Sequence, residues 1–180
     1  MHADDEMTNW DASERLAARI EERAGDLSSG HQRWRIYRRA IEIPRVWADL
    51  LAAIASEPDQ AIASAAAVQL LGRVPPEMRS RVVGVLPGGK GRDFAALRSR
   101  ELGTLESLTD GDAGSVPEGL DSWSTWLQLR AADEVTDEMI LAELARSGRT
   151  RRVRSAASRR LRLPTFRARL IRDDLEKLII

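Results

Sequence analysis

Two stretches of this chain, about 90 residues apart, share one layout of apolar, small and polar residues. Leu51-Ala52 and Ile54-Ala55 correspond to Leu141-Ala142 and Leu144-Ala145. After a connection differing by one residue, Ile62, Ser64-Ala65-Ala66 and Leu70 correspond to Val153, Ser155-Ala156-Ala157 and Leu161. Each copy then meets a proline, Pro75 or Pro164. The spacings of three and four are helical, so each copy reads as a helical hairpin. An offset of two units of roughly 45 residues is what stacked helical units leave in a sequence.

The rest of the chain reads as helix as well. Leu16, Ile20, Ala24 and Leu27 predict a first amphipathic helix running to about Asp26, with Asp11 and Glu14, or Thr8, at its start. A second, from about His31 to Glu42, places Trp34, Tyr37 and Ile41 on one side, with Arg33, Arg35, Arg38 and Arg39 outward or flanking. Pro44 suits the first turn of a third helix, and Asp59 suits the cap of a fourth. Pro75-Pro76 opens a short fifth, and Pro87-Gly88-Gly89 breaks the chain before a helix over 92–108 that Gly103 can split. Helices over 120–132, 136–146, 150–161 and from Pro164 onward complete the set. No stretch alternates with period two, so the expected class is all-α: nine to ten helices in antiparallel hairpins, arranged as a short solenoid or an irregular bundle. The expected divisions are a mobile N-terminus 1–10, a helical half 11–108, a flexible Asp/Gly-rich loop 109–119, and a second half 120–180 packed on the first.

Composition narrows the functional classes. Hydrophobic residues are 43% of 180, many of them alanine, so helices are expected to approach closely while five tryptophans fill the wider gaps. There is no cysteine, which removes disulfides, thiolate metal sites and cysteine nucleophiles and suits a reducing cytoplasm. The start is acidic, unlike a signal peptide. The longest uncharged run, 60–72, is far short of the roughly 20 residues that span a bilayer. The expectation is a soluble cytoplasmic protein. The Arg-over-Lys and alanine-heavy usage suggests a bacterial source with a GC-rich genome.

Net charge is zero but unevenly spread. Residues 104–145 hold ten carboxylates against Arg130 alone, and residues 146–172 hold eleven arginines and no carboxylate. At 100° per residue, Val153, Ala156, Ala157 and Leu161 share one side of the arginine-rich helix. Arg151, Arg152, Arg159 and Arg162 gather opposite, and Arg154 lies at the flank. Arg160 falls on the apolar side and there needs a partner. These five, Arg151, Arg152, Arg154, Arg159 and Arg162, are the candidate binding residues. Three readings stay open: neutralisation by Asp133, Glu134, Asp137, Glu138 and Glu143 just upstream, an acidic protein partner, or nucleic-acid phosphates.

The Val-Arg-x-Ala-Ala-x-x-x-Leu spacing (Val153, Arg154, Ala157, Leu161) resembles the second helix of a HEAT-type repeat. It departs from that pattern where Arg149 or Arg151 stands in place of the usual aspartate. The resemblance implies a scaffold or binding surface more often than an enzyme.

Other motifs read as ordinary structure. The Gly84 to Lys90 segment has phosphate-loop spacing, but Gly91 occupies the hydroxyl position and helix precedes it, so it reads as a chance match. Asp110, Asp112 and Asp121 fit a calcium loop only in part, because Ser115 stands where glycine is required. His2 and His31 have no partner at ligand spacing, and no Gly-x-Ser-x-Gly elbow occurs. Glu21-Glu22 and Asp133-Glu134 read as solvated pairs, and the Trp34/Tyr37 and Trp123/Trp126 pairs as core. No enzyme activity, metal or cofactor is expected. The apolar end 178–180 is expected to dock on its own core in a monomer or weak, salt-sensitive homodimer.

Overall fold

A computed structural model of the chain describes residues 10–109 and 119–163. Among them all regular structure is helical, with no strand. The expected mobile N-terminus except Trp10, most of the Asp/Gly-rich loop, the helix from Pro164 and the apolar end lie outside the described residues.

The chain forms two compact units that divide between Arg100 and Glu101. The first contains α1 (Asp11–Arg19), α2 (Gly30–Ile41), α3 (Trp47–Ala55), α4 (Gln60–Leu71) and α5 (Arg79–Gly84). Helix α6 (Lys90–Thr109) runs unbroken through Gly103 and across the division. The second contains α7 (Thr125–Glu134), α8 (Glu138–Ser147) and α9 (Arg151–Leu161). Short 3-10 turns at Pro44–Val46, Pro76–Met78 and Leu120–Ser122 lead into α3, α5 and, after Trp123 and Ser124, α7.

In the first unit α1 packs on α3 and α2 on α4. Alanine makes this possible: Ala40, Ala53, Ala63, Ala66 and Ala67 are buried among Leu16, Ile36, Leu50, Ile54 and Leu70. The Asp59 carboxylate caps α4 by accepting from the Ala61 and Ile62 amides.

Helix α1 stops at Arg19, seven residues before the expected end at Asp26. Its end is a Schellman arrangement, in which the Glu22 amide donates to Ala17 O and the Glu21 amide to Ala18 O. The left-handed position of that motif is normally glycine, and here it is Glu21, at φ 56°. Ala24 and Leu27 therefore fall in the connection to α2, only partly buried.

A second correction concerns Arg33, expected outward or at the flank of α2. It is 4% exposed. Its Nε and Nη2 form a fork on Glu57 at 2.9 and 2.8 Å, and its Nη1 donates to Leu27 O and Ser28 O. The Tyr37 hydroxyl donates to Glu57 at 2.8 Å and lies 2.9 Å from Ser13 Oγ. The Asp59 amide donates to Glu57 as well, and Trp10 covers the guanidinium at 4.2 Å. Burial raises the pKa of Tyr37, and the Glu57 hydrogen bonds raise that of Arg33. Every charge in the cluster is matched, so it acts as an internal tie between α1, α2 and the α3–α4 connection. Spacing held a hint of it, because Arg33 and Tyr37 are four apart and share the buried face of α2.

The second unit is built round Leu105, Leu108, Leu120, Trp123, Leu127, Ala131, Val135, Ile140, Leu141, Leu144, Val153 and Ala157, all buried. Its helices begin on side-chain caps: Ser124 on Leu127 N, Asp137 on Ile140 N, and Thr150 on Val153 N. The helices expected over 120–132 and 136–146 are thus shorter at their starts. Serine and aspartate favour the cap over the helix interior because they hydrogen-bond the first free amides.

Candidate anion-binding groove on α9

Three features set α9 in place. Its apolar stripe enters the core through Val153 and Ala157, with Ala156 and Leu161 partly buried beside them. Gly148 joins it to α8, and a Cβ there would lie 2.6 Å from Val153 Cγ1, so only glycine permits this approach. Gln128, 1% exposed, clamps the connection: its Nε2 donates to Leu120 O and its Oε1 accepts from the Arg149 amide, both at 2.8 Å. Gln128 was not singled out by the sequence reading. A lone glutamine on a helix has no pattern that marks it as buried.

With that side inward, the opposite side faces solvent. Arg151, Arg154, Arg159 and Arg162, with Ser155, Ser158 and Leu163, line a groove of 510 Å³. The five candidate arginines are all exposed, but the groove gathers four of them. Arg152, expected in the main cluster, lies to one side, while Arg154, expected at the flank, lines the groove. Arg154 Nη1 also donates to Gly148 O at 2.6 Å, satisfying a carbonyl beyond the end of α8. Arg160 is half-buried on the apolar side, as its spacing implied.

Three of the five upstream carboxylates are engaged elsewhere. Glu134 pairs with Arg130, and Asp137 spends an oxygen capping α8. Glu143 accepts from Arg146 and from Ser147 Oγ. The Ser147 hydroxyl first, then Arg146, lowers the Glu143 pKa below the usual carboxylate value. Among the described residues, no carboxylate pairs with Arg151, Arg152, Arg154, Arg159, Arg160 or Arg162.

The placement also runs against helix electrostatics. Arg151 and Arg152 open α9, and its first turn holds no acidic residue. Cations at that positive end disfavour the helix by about 0.3–1 kcal/mol each. An anion beside them would meet guanidinium groups and the positive end of the helix dipole together.

Gly84 ends α5 and Lys90 opens α6, so helices lie on both sides of the segment with phosphate-loop spacing. Asp121 is exposed, while Asp110 and Asp112 lie outside the described residues. Among the described residues no cluster of His, Cys, Asp or Glu could hold a metal ion. Tyr37 and Trp123 are buried, and Trp126 is partly buried against the core. Trp34 is partly buried, on a 700 Å³ hollow between α2 and α4. No helix among the described residues is long and apolar enough to cross a membrane. Comparison with protein-family models, with characterised proteins and with solved structures finds no match.

Proposed function

We propose that this chain is a non-enzymatic helical interaction module of the HEAT-like kind, which presents the α9 arginines to an acidic segment of another protein. The observation that carries the reading is the set of exposed α9 arginines with no carboxylate partner among the described residues. Arginine suits the role because its planar fork grips carboxylates in pairs.

Burial at three of the equivalent positions supports the repeat, while Ile62 and Leu161 are only partly buried where Val153 and Leu70 are fully buried. Leu51 and Ile54 are buried on α3, as Leu141 and Leu144 are on α8, while Ala66 and Ala157 are both fully buried. Stacking of α1 on α3 and α2 on α4 is how a solenoid joins successive hairpins.

The groove favours a peptide over single-stranded nucleic acid. Its described lining has arginine and serine but no aromatic ring, and ring stacking supplies about 1–3 kcal/mol per base in single-strand recognition. Leu163, 40% exposed at one end, offers an apolar contact to a partner side chain.

The test is titration of a labelled peptide rich in Asp and Glu, with one leucine, against matched single-stranded and duplex oligonucleotides. The peptide should bind at low salt and weaken as salt rises, and the pair Arg151→Glu with Arg159→Glu should lose it. Tight oligonucleotide binding without peptide binding would give the groove to nucleic acid. Binding of neither would end the anion-groove reading.

A further inference from the structure

The second unit also carries, on its own surface, a segment with the chemistry that this groove would take. Residues 133–139 form the corner between α7 and α8 and read Asp-Glu-Val-Thr-Asp-Glu-Met. Val135 is buried and anchors the corner, while Asp133, Asp137, Glu138 and Met139 are exposed. Among the described residues no arginine or lysine pairs with Asp133, Asp137 or Glu138. Met139 is 74% exposed, the most exposed large apolar side chain in the described chain. The corner is therefore an acidic surface with an apolar tip, and the groove is a basic surface with Leu163 at one end.

Neither surface is neutralised by the other within one copy. With a net charge of zero, two copies have no overall repulsion to overcome, and near-zero net charge favours association. We propose that the acidic corner of one copy, residues 133–139, docks in the α9 groove of a second copy. The two molecules form a closed two-fold pair in which each contact occurs twice. This rests on the reading of α9 as an anion-binding groove, and it makes self-association the state that an acidic partner displaces.

The experiment is sedimentation of the full chain at about 0.01 M and about 1 M salt, where the Debye length falls from ~30 Å to ~3 Å. The expected result is a dimer at low salt and a monomer at high salt. Two variants invert the two surfaces: Arg151→Glu with Arg159→Glu and Arg162→Glu in the groove, and Asp133→Arg with Glu138→Arg at the corner. They spare the Asp137 cap, the Glu134–Arg130 pair and the Arg154–Gly148 hydrogen bond. Each variant alone is expected to be monomeric. An equimolar mixture is expected to form a dimer, because both contacts then join opposite charges, and that recovery shows that both variants fold.

A wild-type chain that stays monomeric at low salt at every concentration overturns the proposal. So does a dimer that both variants retain, or a mixture that stays monomeric. Peptide titration separates this from the parent reading. A monomeric wild type that still binds the acidic peptide sinks self-docking and keeps the groove, whereas one that binds no peptide sinks both.

Discussion

Helices α2 and α9 are the two arginine-rich helices of the described chain, with four and five arginines in 12 and 11 residues. The fold treats them in opposite ways. On α2, Arg33 is buried on Glu57, while Arg35 and Arg39 lie 3.3 and 3.5 Å from Glu22. Only Arg38 lacks a carboxylate partner among the described residues. On α9 no arginine has one among those residues. The difference shows that a net charge of zero describes the whole chain and says nothing of a single face. Arginine count alone does not separate a tie within the fold from a surface open to a partner; the position of the nearest carboxylate does.

The largest expected effect tests the buried side of this comparison. Arg33→Ala leaves Glu57 charged, buried and without its fork, which should cost about 3–5 kcal/mol. Arg151→Ala with Arg159→Ala should change stability by less than about 0.5 kcal/mol while removing peptide binding. Denaturant unfolding of both variants checks this, and similar losses of stability in the two would erase the distinction between the helices.

A middle-sized effect comes from Tyr37, whose pKa burial raises above its ordinary 10.0. A raised acid pKa means the fold favours the neutral phenol. That contribution is fully present below pH 10 and is lost as pH climbs past the unfolded value toward the folded one. Stability should therefore fall above pH 10, and Tyr37→Phe should flatten that fall. The variant should also cost about 1–2 kcal/mol at neutral pH, since Ser13 and Glu57 each lose a partner. A chain with the same alkaline slope with and without the Tyr37 hydroxyl would place the titration elsewhere.

The smallest effect on stability is the most direct way to turn one helix into the other. Glu22→Ala removes the carboxylate that holds Arg35 and Arg39, at a cost of about 0–1 kcal/mol for exposed pairs. Those two arginines would then stand with Arg38 as the α9 arginines do. Weak binding of the acidic peptide to the first unit is expected, measured in the chain whose α9 groove carries Arg151→Glu with Arg159→Glu. If no binding appears, exposed unpaired arginines alone do not make the site, and the serines and end geometry of α9 must contribute.

Helical class, most helix positions and the inward face of α9 were legible in the sequence because each depends on residues three or four apart. The Asp59 cap, the proline starts and the burial of Val153 and Ala157 are local consequences of that kind. The end of α1 was not legible, because its left-handed position is filled by Glu21 in place of the glycine that marks such ends. Gly103, which can break a helix, sits inside an unbroken α6. Long-range partnering was beyond any local pattern. Arg33 meets Glu57 across 24 residues and Gln128 meets Arg149 across 21. The pairs Arg130–Glu134 and Glu143–Arg146 are local, at spacings of four and three, yet only tertiary structure decided that none of the described carboxylates upstream of α9 reaches its arginines. Charge composition is a property of the chain, but neutralisation requires two groups within about 4 Å, and only the folded backbone sets that distance.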